Sequence, residues 1–426
     1  MHWLKGCWDR FWFEPASPVN LGVCRALFYG AFFLFYLPYD FAPWGEVSPV
    51  FWFPRSYFRW LHLPLLSPEA IGWLQAAWKA ALALSCIGLW TRASTAASLL
   101  LGAYLLALPH NFGKIYHFDA MVLFILGILA FSPCGDGWSV DRLRRAARRG
   151  KEMALSRPAA SGEYTWPVKA AWLIMSLVFF AAGVSKLRHS GLAWITSDHM
   201  RIVLLEAQYH VTDLDPAFPS WGLWTAQSPF LTRLIALGTV VFEAGYPLAL
   251  FSPAARWVLI PGAIGMLVGI RWLMGPPFYT FVICQLFWVP WDRVGSRLAK
   301  RFGGRRRLSI MYDGACGLCQ RSVAVLRGLD LMRRLEMLDI MADWPAIQKR
   351  FPALSREVCL QEMHLVTADG KVVAGFDAYR VLAWALPLGW PALPFLYLPG
   401  VRALGRRVYA AIAARRHRGG CPIPPP

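Results

Sequence analysis

Apolar runs separated by short polar, aromatic or basic segments dominate the first 290 residues. Eight of them approach the roughly 20 residues that a helix needs to cross a bilayer: about 20–40, 71–90, 93–109, 118–133, 168–187, 230–251, 255–273 and 277–291. The runs 93–109 and 118–133 are short and read as tilted or re-entrant. They form a hairpin, so losing both leaves the orientation of everything after them unchanged. After Arg307 the pattern changes. LSIMY (308–312) is a short β-type run, 317–329 has helical spacing, and LEMLDI (335–340) reads as a second strand. MHLVTADGKVVAGF (363–376) alternates about Asp369-Gly370, a hairpin signal. A helix is expected from about 377. Residues 388–400 are too rich in Pro to span, a basic helix covers about 400–416, and the end, CPIPPP, reads as disordered. No internal repeat is evident.

Composition agrees. Hydrophobic residues make up 57% of the 426 and charged residues 16%, against about 45–50% and about 25% in soluble globular chains. This excludes a soluble enzyme, a disordered tail protein and a fibrous protein. The net charge of +19 would suggest nucleic acid in a soluble chain. Here its distribution reports membrane sidedness, and no nucleic-acid partner is expected. Arg142, Arg144, Arg145, Arg148, Arg149, Lys151 and Arg157 follow the fourth run, and Arg293, Arg297, Lys300, Arg301, Arg305, Arg306 and Arg307 follow the eighth. Four spans separate the two groups, so both can lie in the cytoplasm, as the positive-inside rule prefers. Both termini are then inside and the loops 41–70 and 188–229 outside. Trp and Tyr near the span ends, such as Trp44, Trp60, Trp194 and Trp224, read as interfacial anchors. No cleavable signal peptide is evident. The expected divisions are a membrane part over 1–292, a basic linker over 293–307, a folded domain over 308–421 and a tail over 422–426.

Of the nine cysteines, only Cys316 and Cys319 are closely paired, which is not the spacing of a secreted disulfide scaffold. Tyr312-Asp313-Gly314-Ala315-Cys316-Gly317-Leu318-Cys319 joins a strand to a helix start, where free N–H groups and partial positive charge stabilise a thiolate. The first cysteine is expected to be the more exposed and the nucleophile. The second, one turn on, would resolve the mixed disulfide. Two other readings stand beside the redox dithiol: a pair of inert packed cysteines, and a metal site, although Cys359, His364 and Cys421 lack standard zinc spacing. No metal is expected.

The stretch 308–421 resembles the DCC family of thiol-disulfide oxidoreductases, carried by YDGACGLC with Asp313 ahead of the cysteines, by MHLVTADGKVVAGFDAY, and by VYAAIAARRHR before Cys421. The resemblance implies a thioredoxin-like fold and a redox-active pair. In one respect the chain departs from thioredoxins. Gln361, Glu362 and Met363 precede the strand facing the dithiol, where thioredoxins place a cis-proline. Substrate docking is therefore expected to differ. The fold class is thus a polytopic α-helical membrane protein of about eight transmembrane helices with a C-terminal α/β thioredoxin-like domain.

Ionisable residues within or at the ends of spans are candidates for function, because lipid disfavours them. They are Asp40, His110, Lys114, His117, Asp119, Lys186 and Arg271 on the expected outer side, Glu243 near the middle of the sixth run, and Arg25 a turn into the first. Lys114 and Arg271 can simply snorkel to the interface, and His110 can cap a helix or face water. Glu243 either pairs with a cation such as Arg25 or lines a cavity. Lys186, in AAGVSKLRHSGLAW, is either an interfacial anchor or a base made available by partial desolvation.

LGVCRALFYG (21–30), GWSVDRL (137–143) and AAGVSKL (181–187) resemble, in order and spacing, the membrane domain of vitamin K-dependent gamma-carboxylase, shared more widely as the HTTM superfamily. The resemblance covers about 20–290 and implies that Lys186 stands where the carboxylase has the base that deprotonates reduced vitamin K. Two features depart from it. Gly135 and Asp136 stand where the carboxylase has Asn-His, and a small C-terminal domain replaces a large lumenal one.

Three readings follow. The favoured one is an integral protein of a bacterial inner membrane whose cytoplasmic dithiol exchanges electrons with a thiol or disulfide protein, or with a vitamin K-like quinone held in the bundle. The second is a carboxylase-like enzyme using Lys186. The third is a non-catalytic binding or transport bundle with a docking domain.

Overall fold

The computed structural model describes residues 2–113, 117–149, 159–214, 218–303, 307–330, 334–386 and 392–418. They group into two compact units, Met1–Gly137 with Ala160–Pro290, and Trp138–Ala159 with Trp291–Pro426. Cys421, Lys114 and the tail 422–426 lie outside the described residues.

The first unit is built of helices. Five of those described are long and apolar enough to cross a membrane: Pro18–Tyr36, Pro68–Ile87, Thr91–Phe112, Gly162–Ser190 and Pro253–Met274. The remaining three expected runs are shorter or broken, so a count of eight is not confirmed. The run 118–133 yields His117–Phe131. The run 230–251 divides into Pro229–Gly245 and Leu248–Phe251, because Pro247 has no amide to continue the ladder. The run 277–291 gives only Tyr279–Cys284 before tightening into the 3-10 turn Gln285–Trp288.

Four helices in this unit start alike. Ser17, Ser67, Ser228 and Ser252 are N-caps followed by proline, and each hydroxyl accepts a hydrogen bond from an N–H of the first turn (Val19, Ala70, Leu231 and Ala255). The serine satisfies an orphan donor, and the proline occupies the position where a missing N–H costs nothing. Much of the apolar surface faces outward. In Pro253–Met274 only Ala263 and Leu267 are buried, and Trp257 is 80% and Phe131 82% exposed. Such a surface suits lipid and not water.

The second unit holds a four-stranded sheet of order β2-β1-β3-β4, with β1 Leu308–Tyr312, β2 Leu335–Asp339, β3 His364–Val366 and β4 Val372–Ala374. β1 pairs parallel with β2 and antiparallel with β3, which pairs antiparallel with β4. Gly370, with φ +79°, closes the β3–β4 hairpin, the backbone region that glycine enters freely. The helix Gly317–Leu329 crosses from β1 to β2. β1 is central and buried on both faces. Leu308 and Ile310 join a cluster with Leu326, Leu365 and Leu382, whereas Met311 joins the opposite cluster with Ile340, Ile347 and Val366. This is the alternation a strand imposes. Val140–Arg149, a strongly amphipathic basic helix, also belongs to this unit, and its Leu143 lies against Gly328 of the crossover helix.

Candidate functional site

The chain leaves the central strand at Tyr312 and turns through Asp313-Gly314-Ala315 into the helix Gly317–Leu329, with Cys316 as its N-cap residue. The turn is held from several sides. The Asp313 carboxylate accepts from the Ala315 N–H at 2.9 Å, and the Cys316 N–H donates to the Asp313 carbonyl at 3.2 Å. Asp339, at the end of β2, accepts from the Gly314 N–H at 3.0 Å and from the Met341 N–H at 2.9 Å. It therefore caps the next helix, Ile340–Arg350, and clamps the cysteine loop at once. The Gln320 side-chain amide donates to the Gly314 carbonyl. Neither Asp339 nor Gln320 was singled out in the sequence, because each acts only through a neighbouring turn.

Cys316 and Cys319 are not joined by a disulfide. Their exposure reverses the expected order: Cys316 is fully buried, at 0%, whereas Cys319 is half-buried and lines a cavity of about 570 Å³. The physical reason is the clamped turn. It tucks the capping residue into the loop, while the next helical turn brings Cys319 to the cavity side. Among the described residues, no group of three or more His, Cys, Asp or Glu is placed to hold a metal ion.

The cavity wall opposite the cysteines comes from the C-terminal helix Val401–Arg418 through Leu404, Val408 and Ile412, spaced four residues apart. Two cations of this basic helix are engaged within the unit. Arg402 donates twice to Asp377 at 3.0 Å, and Arg406 adds a bond at 3.1 Å and a shorter one. These guanidinium groups hold the Asp377 carboxyl well below the usual carboxylate range. The Tyr409 hydroxyl accepts from the Met363 N–H at 2.9 Å, and Gly405 lets the helix pass close over the Phe376 ring. Burial pushes the Tyr379 phenol up, and nearby Cys319 adds to the effect. Cys359 also lines the cavity but is buried, and burial with Glu357 nearby pushes its thiol up to about 11. No cis peptide bond is present among the described residues, and Met363 stands ahead of β3.

In the first unit the structure sorts the expected polar residues into pairs. Lys186 donates to both oxygens of Glu243, at 2.9 and 2.6 Å, and lies 5.4 Å from the Trp194 ring centroid. Glu243 therefore pairs with Lys186 and not with Arg25, the cation suggested for it. Arg25, fully buried, donates to the carbonyls of Cys134 at 3.2 Å, Cys86 at 2.8 Å and Ser85. The long guanidinium satisfies carbonyls freed near helix ends, a role that composition cannot reveal. His110 Nε2 lies 3.0 Å from Asp119, which is buried. His117 opens the helix His117–Phe131, but its side chain lies outside the described set. Asp40 accepts from the Ala42 N–H and the Gln75 amide. Arg271 stacks 5.1 Å from the Phe218 ring.

Comparison with known proteins bears on the second unit. An uncharacterized chloroplastic protein of Arabidopsis thaliana is 28% identical over 85 residues, which are 20% of this chain and 39% of that protein. The match thus spans well under half of that relative. No solved structure matches the chain. Residues 310–421 match the DCC1-like thiol-disulfide oxidoreductase family, and the similarity places a domain of that kind around the Cys316–Cys319 pair.

Proposed function

We propose that this chain is a membrane-anchored dithiol–disulfide exchanger, with Cys316 and Cys319 passing two electrons to or from a disulfide partner on the cytoplasmic side. One observation carries the reading: two cysteines outside any disulfide, one helical turn apart at the start of a helix, one of them opening onto a cavity. The family similarity of 310–421 supports the chemistry. The five long apolar helices support the anchor, and the two basic clusters support a cytoplasmic placement. In this reading Asp313 is a positioning residue that folds the loop. The Glu243 ion pair gives Lys186 a structural partner, and no feature of that pair favours base chemistry there.

The test uses the purified full-length chain in lipid nanodiscs. The reduced protein should consume one added disulfide and release two thiols for each Cys316–Cys319 link that forms, and Cys316→Ser or Cys319→Ser should abolish the linkage. Disulfide reduction that survives both substitutions would sink the proposal. Oxidation of the pair by a short-chain quinone, but by no disulfide, would redirect the reading to a quinone partner.

A further inference from the structure

We infer that Cys319, and not Cys316, makes the first bond to the substrate, and that the substrate is a disulfide with an apolar, uncharged flank seated in the adjoining cavity. This rests on the dithiol reading above and adds an order of attack and a substrate class.

Access sets the order. Exchange proceeds by a thiolate approaching a disulfide sulfur directly, so the first attacker must reach an outside sulfur. Cys316 has no exposed surface, whereas Cys319 lies in the cavity wall. Cys316 needs to reach only the sulfur of Cys319, one turn away in the same helix. In the first step the Cys319 thiolate attacks one sulfur of R–S–S–R′. The Cys319–S–S–R bond forms, the S–S bond of the substrate breaks, and R′–S⁻ leaves and takes up the proton that Cys319 released. In the second step Cys316 loses its proton and attacks the Cys319 sulfur. The protein disulfide forms and R–S⁻ leaves, taking that proton. The two cysteines are oxidised by two electrons, and one substrate disulfide becomes two thiols.

The walls set the class. Leu318 and Val323 come from the cysteine helix, Met311 and Met363 from the sheet side, and Leu404, Val408 and Ile412 from the C-terminal helix. Among the described residues, no Lys, Arg or His lines the cavity, and the one lining carboxylate is Asp313. An anionic disulfide such as oxidised glutathione would find no cation there. Leu404, Val408 and Leu318 remain 62%, 51% and 44% exposed, an apolar surface that an occupant would cover. A cavity of about 570 Å³ falls in the roughly 300–1,000 Å³ range of small-ligand sites. Backbone pairing is not the route of recognition, since the Met363 N–H at the start of β3 is already bonded to Tyr409.

The experiment uses the full chain in nanodiscs with three probes: dibenzyl disulfide, a blocked cystine peptide with phenylalanine on each side, and oxidised glutathione. Mass spectrometry locates the trapped mixed disulfide. Cys316→Ser should accumulate the adduct on Cys319 with the two apolar probes, roughly tenfold faster than with glutathione, the ratio that one lost favourable contact gives. Reaction of only one apolar probe would identify a small-molecule or a peptide source. Cys319→Ser should form no adduct on Cys316 at a comparable rate, and Val408→Glu should shrink the apolar preference. Equal or faster trapping on Cys316 overturns the order, and equal rates for all three probes overturn the class. Either result leaves exchange itself intact, whereas a folded wild-type chain that reacts with no disulfide fails the parent reading instead.

Discussion

Gly314→Ala tests the clamp on the cysteine loop. A methyl group on Gly314 would run into both Asp339 carboxylate oxygens, far inside contact distance. The φ of Gly314 is not positive, so the substitution acts by steric displacement of Asp339 and not through backbone strain. Asp339 accepts two backbone hydrogen bonds, from Gly314 and Met341, and a bond to a charged group contributes about 1.5–3 kcal/mol. Losing one at the lower figure costs about 1.5 kcal/mol, and losing both about 3 kcal/mol. Since 1.4 kcal/mol is a factor of ten, the open state of the loop becomes roughly 10- to 100-fold more populated. Cys316 is fully buried, so its alkylation reports that open population whenever opening and closing are faster than the chemistry. Timed iodoacetamide labelling with mass spectrometry should therefore show Cys316 reacting about 10- to 100-fold faster in Gly314→Ala. Cys319, already accessible, should change little, and Cys359, buried with Met311 and Ile347, should stay protected. A Cys316 rate within about twofold of the wild type, or a parallel rise at Cys359 showing global unfolding, would refute the reasoning.

Lys186→Met strands Glu243, so it should lower stability by about 3–5 kcal/mol, and Lys186→Met with Glu243→Leu should recover most of that; thermal unfolding in nanodiscs checks both, and a Lys186→Met chain as stable as the wild type means the pair is not structural. The folded-state pKa of Asp377 is depressed by Arg402 and Arg406. Its contribution is therefore present above the unfolded value near 4 and fades as pH falls below it. Hydrogen-exchange protection across Val401–Arg418, taken relative to the intrinsic amide rate at each pH, should fall below about pH 4 in the wild type, whereas in Asp377→Asn it should be low with little pH dependence. Cys359, with its thiol pushed up to about 11, should resist alkylation at neutral pH despite lining the cavity; labelling there as fast as at Cys319 would contradict its burial.

How far the sequence reaches differs between the two units. In the second, period and turn chemistry marked the strands and the cysteine helix but left the helices Ile340–Arg350 and Arg356–Gln361 unread. LSIMY became β1, the spacing over 317–329 became the helix Gly317–Leu329, and Asp369-Gly370 closed the hairpin. These are local preferences, decided within a few residues. In the first unit, apolar run length marked five long helices but overcounted continuous ones, because Pro247 and the tightened turn Gln285–Trp288 interrupt runs of unbroken hydropathy.

The site shows the same division. The chemistry-bearing pair was legible as a motif, since Cys-Gly-Leu-Cys at a strand-to-helix junction is a local signal. Burial is not local. Which cysteine is covered depends on Asp339 from β2 and Gln320 closing over the loop, and the cavity wall depends on a helix some eighty residues later. The partners of Lys186 and Arg25 likewise come from other helices, Glu243 for one and the carbonyls of Ser85, Cys86 and Cys134 for the other. The amino-acid order by itself determined where thiols, strands and long apolar helices fall, because those follow from short-range geometry and side-chain type. Only the tertiary structure decided which thiol meets the cavity and which charge meets which, because those follow from packing between segments distant in the chain.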